Sequence, residues 1–227
     1  MSTNVNWHRR NKHKHGYDFN ELCRSTPALT DYIVIKQNQE KTIDFSSPNA
    51  VKTLNKALLR SHYKINEWDI PEQYLCPGVP GRVDYLHYLA DLLKISMKGE
   101  IDNNHVKLLD IGTGASLIYP LLGVSEYNWQ FVASDIDPIS INNAKQLLLA
   151  NPVFEKHISC RLQSDENLAF QGIIKKNEFF TFTLCNPPFH LSQNEASKGS
   201  HRKLQNLQQG KNKAHSAVNN SHYKLAA

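Results

Sequence analysis

The clearest chemical signal in the sequence is a run of four residues, Asn186, Pro187, Pro188 and Phe189, directly after an apolar segment at residues 179–185. An aromatic amine is a poor nucleophile because its lone pair is delocalised into the ring. The Asn186 side-chain oxygen and the Pro187 carbonyl oxygen can accept its two N–H bonds, since the prolines bring no competing amide donors. With Phe189 stacked on the ring, we predict a site that directs an aromatic amine towards a methyl group by positioning and hydrogen bonding. The simpler alternative is a turn that ends a strand.

A glycine-rich turn upstream predicts a second functional element. Asp110 lies in an apolar run that leads into Gly112 and Gly114, where glycine lets the backbone approach a ligand closely. Asp135, 25 residues beyond Asp110, ends the next apolar run and can accept hydrogen bonds from ribose hydroxyls. The turn lacks the third glycine of the dinucleotide fingerprint, which favours S-adenosylmethionine, a cofactor without phosphate. The alternative is a turn that only connects a strand to a helix.

The elements that must position these residues follow from the apolar periodicity. The N-terminal third has helical periodicity and predicts a helical subdomain. Short apolar runs then alternate with helical stretches, which is typical of an α/β fold with a parallel sheet. We expect helices at residues 49–62, 83–93, 117–122 and 138–151, and strands at residues 106–111, 129–134, 158–162 and 179–185. The predicted domains are a basic arm (1–16), a helical N-terminal subdomain (17–104), a cofactor-binding core (105–191) and a polar basic tail without stable structure (192–227).

Basic residues are concentrated at the two ends of the chain. The net charge is +5, and residues 192–227 carry six Lys or Arg against one Glu. Basic ends beside an acidic middle predict a phosphate backbone as partner, with solubilising tails as the alternative. Because the N-terminal arm is remote in sequence from the pocket residues, we expect it to act on nucleic-acid affinity and not on cofactor affinity. Its only charged residues are Arg9, Arg10, Lys12 and Lys14.

Neither the cysteines nor the apolar segments indicate a metal site or a membrane. The four cysteines form no Cys-x-x-Cys pair, so we expect free thiols and no metal, with Cys160 and Cys185 buried. Nothing in the first thirty residues resembles a signal peptide, and we expect no apolar stretch long enough to span a bilayer. We therefore expect a soluble, cytoplasmic protein that has no membrane partner and needs no obligate protein partner.

Several segments together identify a family. They are Ile43-Asp44-Phe45, Trp68-Asp69-Ile70-Pro71, Pro80-Gly81-Arg82-Val83-Asp84-Tyr85-Leu86-His87-Tyr88, Leu109-Asp110-Ile111-Gly112-Thr113-Gly114-Ala115, Ile118-Tyr119-Pro120-Leu121, Ser134-Asp135-Ile136-Asp137 and Asn186-Pro187-Pro188-Phe189-His190. Over roughly residues 8–209, the sequence closely resembles the family of bacterial ribosomal RNA large subunit methyltransferase F. It is also similar to eukaryotic small-nuclear-RNA adenine methyltransferases.

This resemblance implies a Rossmann-like class I methyltransferase sheet that uses S-adenosylmethionine to methylate the N6 amine of an adenine in 23S ribosomal RNA. It further implies that Arg82 reaches the methionine carboxylate of the cofactor, and that Gly112 and Asp135 hold its backbone and ribose. The basic start of the chain, which comprises Arg9, Arg10, Lys12 and Lys14, would then contact RNA. A loop after the catalytic motif could close over the substrate strand through Lys198, Arg202 and Lys203.

The sequence departs from the family beyond the fourth predicted strand. The family sheet has strands in the order 3-2-1-4-5-7-6, whereas this chain ends 38 residues after Phe189 and stops resembling the family at about Lys211. We therefore expect an incomplete sheet with the first four strands present and an exposed apolar strand at residues 179–185. Two alternatives stay open: an inactive fragment that retains at most cofactor or RNA binding, and a methyltransferase of DNA adenine or protein glutamine.

Overall fold

The protein is described by a computed structural model that covers residues 6–97 and 102–187. Residues up to Asn186 belong to one compact unit, and Pro187 begins a second unit. The described α-helices are α1 (Phe19–Ser25), α2 (Pro48–Tyr63), α3 (Val79–Ser96), α4 (Ile118–Tyr127), α5 (Pro138–Ala150) and α6 (Pro152–Glu155). The described strands are β1 (Ile33–Ile35), β2 (Lys41–Ile43), β3 (Lys107–Ile111), β4 (Gln130–Asp135), β5 (Ile158–Leu162) and β6 (Phe182–Cys185).

The first half of the chain is mainly helical, and its helices begin at recognisable signals. Asp18 caps α1, and Ser47 caps α2 by accepting the Ala50 amide, with Pro48 in the first position. The two helices expected in this region are both present and extend beyond their predicted ends. A short antiparallel hairpin formed by β1 and β2 was not predicted.

β3 to β6 form a parallel sheet in the spatial order β5-β4-β3-β6. The central strand is β3, whose Leu108 is in register with Phe131 of β4 and Phe182 of β6. All four predicted strands are therefore present, in the order third, second, first, fourth. This arrangement confirms the predicted α/β, Rossmann-like class I methyltransferase fold with its helical N-terminal part.

One hydrophobic core connects the helical part to the sheet. It includes Leu86 of α3, Leu121 and Leu122 of α4, and Leu108 and Phe131 of the sheet, all almost inaccessible to solvent. Burying one such leucine or phenylalanine contributes about 1.5–3 kcal/mol. Because the helices and the strands bury the same apolar surface, the position of α3 relative to the ends of the strands is fixed by packing.

The other face of the sheet carries an ion-pair cluster around Glu178. Arg161 of β5 donates to both carboxylate oxygens of Glu178 (2.6 and 2.8 Å), and Lys107 of β3 donates to one of them at 2.8 Å. The Arg161 guanidinium holds the pKa of Glu178 well below its usual range. The cluster thus links β3 and β5, which lie on either side of β4.

Among the helices that the structure describes, none combines the length and the apolar character that a membrane-spanning segment needs. The four cysteines are all free. Cys160 is half-buried, whereas Cys185 at the end of β6 is exposed, so the expectation that both are buried is wrong for Cys185. The reason is the position of Cys185, which is the last residue of β6, the strand at the edge of the described sheet.

The close packing of α4 against the sheet yields a stability prediction. A Cβ added at Gly123 would lie 2.5 Å from Cζ of Phe131, in a densely packed interior where the ring has little room to move. We expect Gly123→Ala to lower the free energy of unfolding by about 1–3 kcal/mol in urea denaturation. Gly81→Ala is the matched control in α3, because a Cβ there meets no atom within 4 Å. Its stability should be unchanged or higher by up to about 1 kcal/mol. A Gly123→Ala variant as stable as the parent would contradict this packing.

Candidate active site

The glycine turn after β3 has the geometry that close approach of a ligand requires. Gly112 and Gly114 have φ angles of 69° and 66°, in a region that residues with a Cβ rarely adopt. A Cβ built at either glycine meets no atom within 4 Å, so the space beside the turn is open. The amides of Gly112 and Thr113 both donate to the Ser134 carbonyl, at 2.8 and 3.0 Å. These bonds fix the turn to the end of β4.

Asp135 at the end of β4 holds the same turn through its side chain. Its Oδ2 accepts the Gly114 amide at 2.8 Å, and its Oδ1 accepts the Asp137 amide at 2.9 Å. Asp137 in turn caps α5 by accepting the amides of Ile139 and Ser140. Each carboxylate oxygen can accept more than one hydrogen bond. Since Asp135 is partly exposed, it can still accept the hydroxyl groups of a ribose.

Asp110 brings a buried carboxyl group to the site. It is 1% exposed, and neither its Oδ2 nor the Thr113 hydroxyl has a hydrogen-bond partner among the described residues. Burial raises the pKa of Asp110 to about 7; the Thr113 hydroxyl lies close enough to oppose this rise without meeting hydrogen-bond geometry, and the charge of Asp135 adds to it. An unpaired buried polar atom is unfavourable. The two orphaned oxygens therefore fit a ligand that brings hydrogen-bond donors or positive charge.

Arg82 lies in the first turn of α3, with Cζ 5.6 Å from the ring centroid of Tyr119. Within residues 6–97 and 102–187 it forms no ion pair. Burial raises the pKa of Tyr119, the charge of Arg82 lowers it and that of Asp110 raises it. A guanidinium group without a carboxylate partner suits an anionic ligand group, such as a carboxylate.

Three side chains that the sequence analysis did not assign to the site donate hydrogen bonds to the turn or to the residues around it. The Trp68 indole donates to the Ser116 carbonyl at 2.9 Å, and Asn143 donates to the Ala115 carbonyl at 2.7 Å. The Tyr74 hydroxyl donates to the carboxylate that caps α5. Trp68 belongs to a segment that carries the family resemblance, which was the one available signal. No sequence signal marked Asn143, because a lone polar residue on a helix is usually solvated.

A cleft of about 390 Å³ is lined by α2, α5 and the segment that contains Trp68. Its basic residues are already paired, Lys56 with Asp69 and Arg60 with Glu67. None of the predicted site residues lines this cleft. We therefore assign the candidate site to the glycine turn and not to this cleft.

The structure brings Asn186 to the same edge of the sheet as the glycine turn. Cys185 is in register with Ile111, so Asn186 follows β6 at the level where Gly112 follows β3. Asn186 is partly exposed, which leaves its amide available to a substrate. Pro187 begins the second unit. Five other predicted site residues lie outside the described residues: Pro188, Phe189, Lys198, Arg202 and Lys203.

The four predicted RNA-binding residues of the N-terminal segment lie in two environments. Arg10 pairs with Asp91 at 2.7 Å, and Lys12 forms an ion pair with Glu126. Arg9 and Lys14 are exposed, and the Lys14 ammonium donates to the Arg9 carbonyl at 2.8 Å. Two of the four charges thus form ion pairs within the protein, although Lys12 is itself exposed, and Arg9 and Lys14 are exposed and form no ion pair among the described residues.

The N-terminal segment is also close in space to a predicted cofactor residue. Asn11, which is fully buried, donates from Nδ2 to the Pro80 carbonyl at 3.1 Å and to Asp84 at 2.7 Å. Pro80 and Asp84 flank Arg82 on α3. Distance in sequence therefore does not separate this segment from the site, and the expectation that it acts independently of the cofactor residues loses its basis.

The fold and the glycine turn define a class I methyltransferase, and comparison with known proteins identifies the family. A family profile described as RNA methyltransferase matches residues 1–225. The chain belongs to this RNA methyltransferase family. It is 51% identical over 205 residues to ribosomal RNA large subunit methyltransferase F of Colwellia psychrerythraea, a match that covers 89% of this chain and 68% of the relative. It is 54% identical over 200 residues to the protein of the same name from Shewanella denitrificans, a match that covers 88% and 55%.

Solved structures of a human protein show the same architecture. The N-terminal domain of human METTL16 in complex with SAH superposes with a TM-score of 0.72 at 30% identity, covering 88% of this chain and 78% of that domain. The hMettl16 catalytic domain in complex with MAT2A 3'UTR hairpin 1 gives 0.71 at 32% identity, covering 85% and 63%. The chain spans between 55% and 68% of the length of the first bacterial relatives.

The raised pKa of Asp110 predicts a specific pH dependence of stability. A carboxyl group with a raised pKa in the folded state stabilises the fold below its unfolded pKa, and this contribution is lost as pH rises towards about 7. Asp110→Asn removes this titration. Without ligand, we expect the variant to gain stability relative to the parent between pH 5 and pH 8 by up to about 3 kcal/mol, the part of the shift that is titrated in this range. Urea denaturation of both proteins at the two pH values measures the difference. A difference that does not change with pH would contradict a protonated Asp110.

Proposed function

We infer that the protein transfers a methyl group from S-adenosylmethionine to the N6 amine of an adenine in RNA, with 23S ribosomal RNA as the substrate and the cytoplasm as its location. The observation that carries this proposal is the shared edge of the sheet. There β3 leads into an open glycine turn, β4 ends in an aspartate that can accept ribose hydroxyls, and Asn186 directly follows β6. Ligands of open α/β sheets bind at this edge.

The described residues suit S-adenosylmethionine group by group. Gly112 and Gly114 leave room for close approach, and Asp135 accepts the ribose hydroxyls. The guanidinium of Arg82 meets the carboxylate of the methionine part. The unpaired oxygen of Asp110 faces the positively charged part of the cofactor, which favours the ionised carboxylate. When bound, the cofactor supplies an activated methyl group.

The protein's own contribution to methyl transfer is to hold and orient the adenine amine. The Asn186 side-chain oxygen and the Pro187 carbonyl accept its two N–H groups, which directs the nitrogen lone pair towards the methyl group. Pro188 fixes the backbone of the motif, and Phe189 stacks on the base. The adenine must leave its stack to reach the site. No side chain with a shifted pKa is needed before transfer, because positioning supplies the effect.

The RNA substrate is supported by the relatives and by the charge distribution. The bacterial relatives are named as ribosomal RNA methyltransferases, and the human domain has been captured with an RNA hairpin. Arg9 and Lys14 are exposed cations within the N-terminal segment. We assign phosphate contacts to these two residues, and further contacts to Lys198, Arg202 and Lys203.

The substrate is tested by comparing RNA from cells with and without the gene. Mass spectrometry of purified 23S ribosomal RNA should show one N6-methyladenosine fewer when the gene is absent, and complementation should restore it. Unchanged N6-methyladenosine would contradict the substrate assignment. Incubation of the protein with adenine-containing DNA, or with a glutamine peptide, then distinguishes the other acceptors of the same chemistry.

Separate variants should divide catalysis from cofactor binding. Asn186→Ala removes an acceptor for the amine and no proposed cofactor contact, so we expect at least a 100-fold loss of methyl transfer, on the order of the effect of one transition-state hydrogen bond. S-adenosylmethionine should still bind in calorimetry. Asp135→Ala should instead abolish saturable binding. Normal cofactor binding by Asp135→Ala would contradict the assignment of Asp135 to the ribose. Normal methyl transfer by Asn186→Ala would contradict the catalytic role of Asn186.

Replacing the N-terminal cations in pairs should distinguish residues that bind RNA from residues that stabilise the fold. Replacing Arg9 and Lys14 by alanine should weaken RNA binding for all sequences alike, and flatten log K against log salt by roughly 0.7–0.9 per lost phosphate contact. Replacing Arg10 and Lys12 should mainly lower thermal stability, because both form internal ion pairs. An Arg9 and Lys14 variant with the parental salt slope would show that the RNA is held elsewhere.

A further inference from the structure

The N-terminal segment is anchored to α3 by buried polar contacts. The backbone amide of His8 donates to Asp84 at 2.9 Å, and Asn11 donates to the same carboxylate oxygen and to the Pro80 carbonyl. The Arg10 amide donates to Nδ1 of His8 at 3.1 Å, so the His8 ring carries its proton on Nε2, which lies 2.9 Å from Asp91. Two turns of α3 are thus hydrogen-bonded to the N-terminal segment.

A second set of contacts ties the same segment to α3 and α4 together. The Arg10 guanidinium donates to the His87 carbonyl at 2.7 Å and to the Tyr127 hydroxyl at 3.1 Å. That hydroxyl lies 2.6 Å from Nδ1 of His87. These contacts join the middle of α3 to the end of α4, the helix that follows the glycine turn.

Among the residues that the structure describes, no side chain caps the first turn of α3. Its N-cap residue is Gly78, which has no side chain to hydrogen-bond the free amides of the turn. Arg82 lies in this turn, and Asn11 contacts the residues two positions before and after it. The direction in which the Arg82 guanidinium points therefore depends on how the turn is held.

We propose that Asn11 is a positioning residue for cofactor binding, because its two donated hydrogen bonds fix the turn of α3 that carries Arg82. The proposal rests on the proposed function, in which Arg82 binds the carboxylate of S-adenosylmethionine. The N-terminal segment thereby serves the cofactor site as well as RNA. The effect of Asn11 is confined to ligands that have a carboxylate for Arg82 to bind.

The test compares the affinities of two ligands, measured in the parent protein and in an Arg82→Ala background. S-adenosylhomocysteine has the carboxylate, whereas 5′-methylthioadenosine keeps the nucleoside and lacks the amino-acid part. The variant is Asn11→Ser, since serine still provides a side-chain oxygen to cap the short helix Lys12–His15 and loses the donors to α3. The matched control is Asn20→Ser, at an exposed asparagine of α1 whose side-chain oxygen accepts from Lys41. Affinities are measured by calorimetry, or by competition where binding is weak.

We expect Asn11→Ser to weaken S-adenosylhomocysteine about 10-fold, the scale of a small misplacement of a binding group, and to leave 5′-methylthioadenosine and the Asn20→Ser control unchanged. In an Arg82→Ala background the effect of Asn11→Ser should disappear. Should Asn11→Ser not fold, Asp84→Ala removes the other end of the contact and should give the same selective loss.

Other outcomes would contradict either the positioning role of Asn11 or the carboxylate assignment of Arg82, and the measurements distinguish the two. An equal loss for both ligands, a loss that persists in the Arg82→Ala background, or no loss at all would overturn the positioning role. If Arg82→Ala alone weakens S-adenosylhomocysteine while Asn11→Ser does not, only this inference fails. If Arg82→Ala leaves its affinity unchanged, the carboxylate assignment under the proposed function fails, and the positioning role fails with it.

Discussion

The hydrogen bond from the Gly114 amide to the Asp135 carboxylate joins the turn after β3 to the end of β4, and the candidate site is built around it. The turn needs φ angles near +66° to present its amides in this way, which only glycine adopts without strain. The same carboxylate must keep acceptor capacity for a ribose. The Asp135 side chain therefore has two functions, to hold the glycine turn and to accept the ribose. A substitution at Asp135 loosens the turn and removes the ribose acceptor at the same time.

The parts of the protein outside the sheet hold this junction in place. Trp68 and Asn143 donate to the carbonyls that follow the turn, and a core shared by α3, α4 and the strands fixes Arg82 relative to Asp110. The N-terminal segment extends this support to the first turn of α3 through Asn11. The helical N-terminal part is thereby both a candidate RNA surface and part of the framework of the cofactor site.

Much of this arrangement was predictable from the sequence. Apolar runs located the four parallel strands, and the glycine turn and Asp135 were found because each has a recognisable residue type at a strand end. The β1–β2 hairpin was missed because strands of three residues are too short to show a period. The docking of the N-terminal segment was missed for a different reason. His8 and Asn11 are buried by hydrogen bonds to a helix more than 70 residues away, and no local pattern marks a polar residue that is satisfied over that distance.

The central claim is that the edge formed by β3, β4 and β6 binds S-adenosylmethionine and presents its methyl group beside Asn186. A crystal structure of this chain with S-adenosylhomocysteine tests it most directly. We predict the ribose hydroxyls within hydrogen-bonding distance of Asp135, the carboxylate on Arg82, and the sulfur atom facing Asn186. Ligand density in the cleft lined by Lys56, Arg60 and Gln146, with the glycine turn empty, would contradict the account.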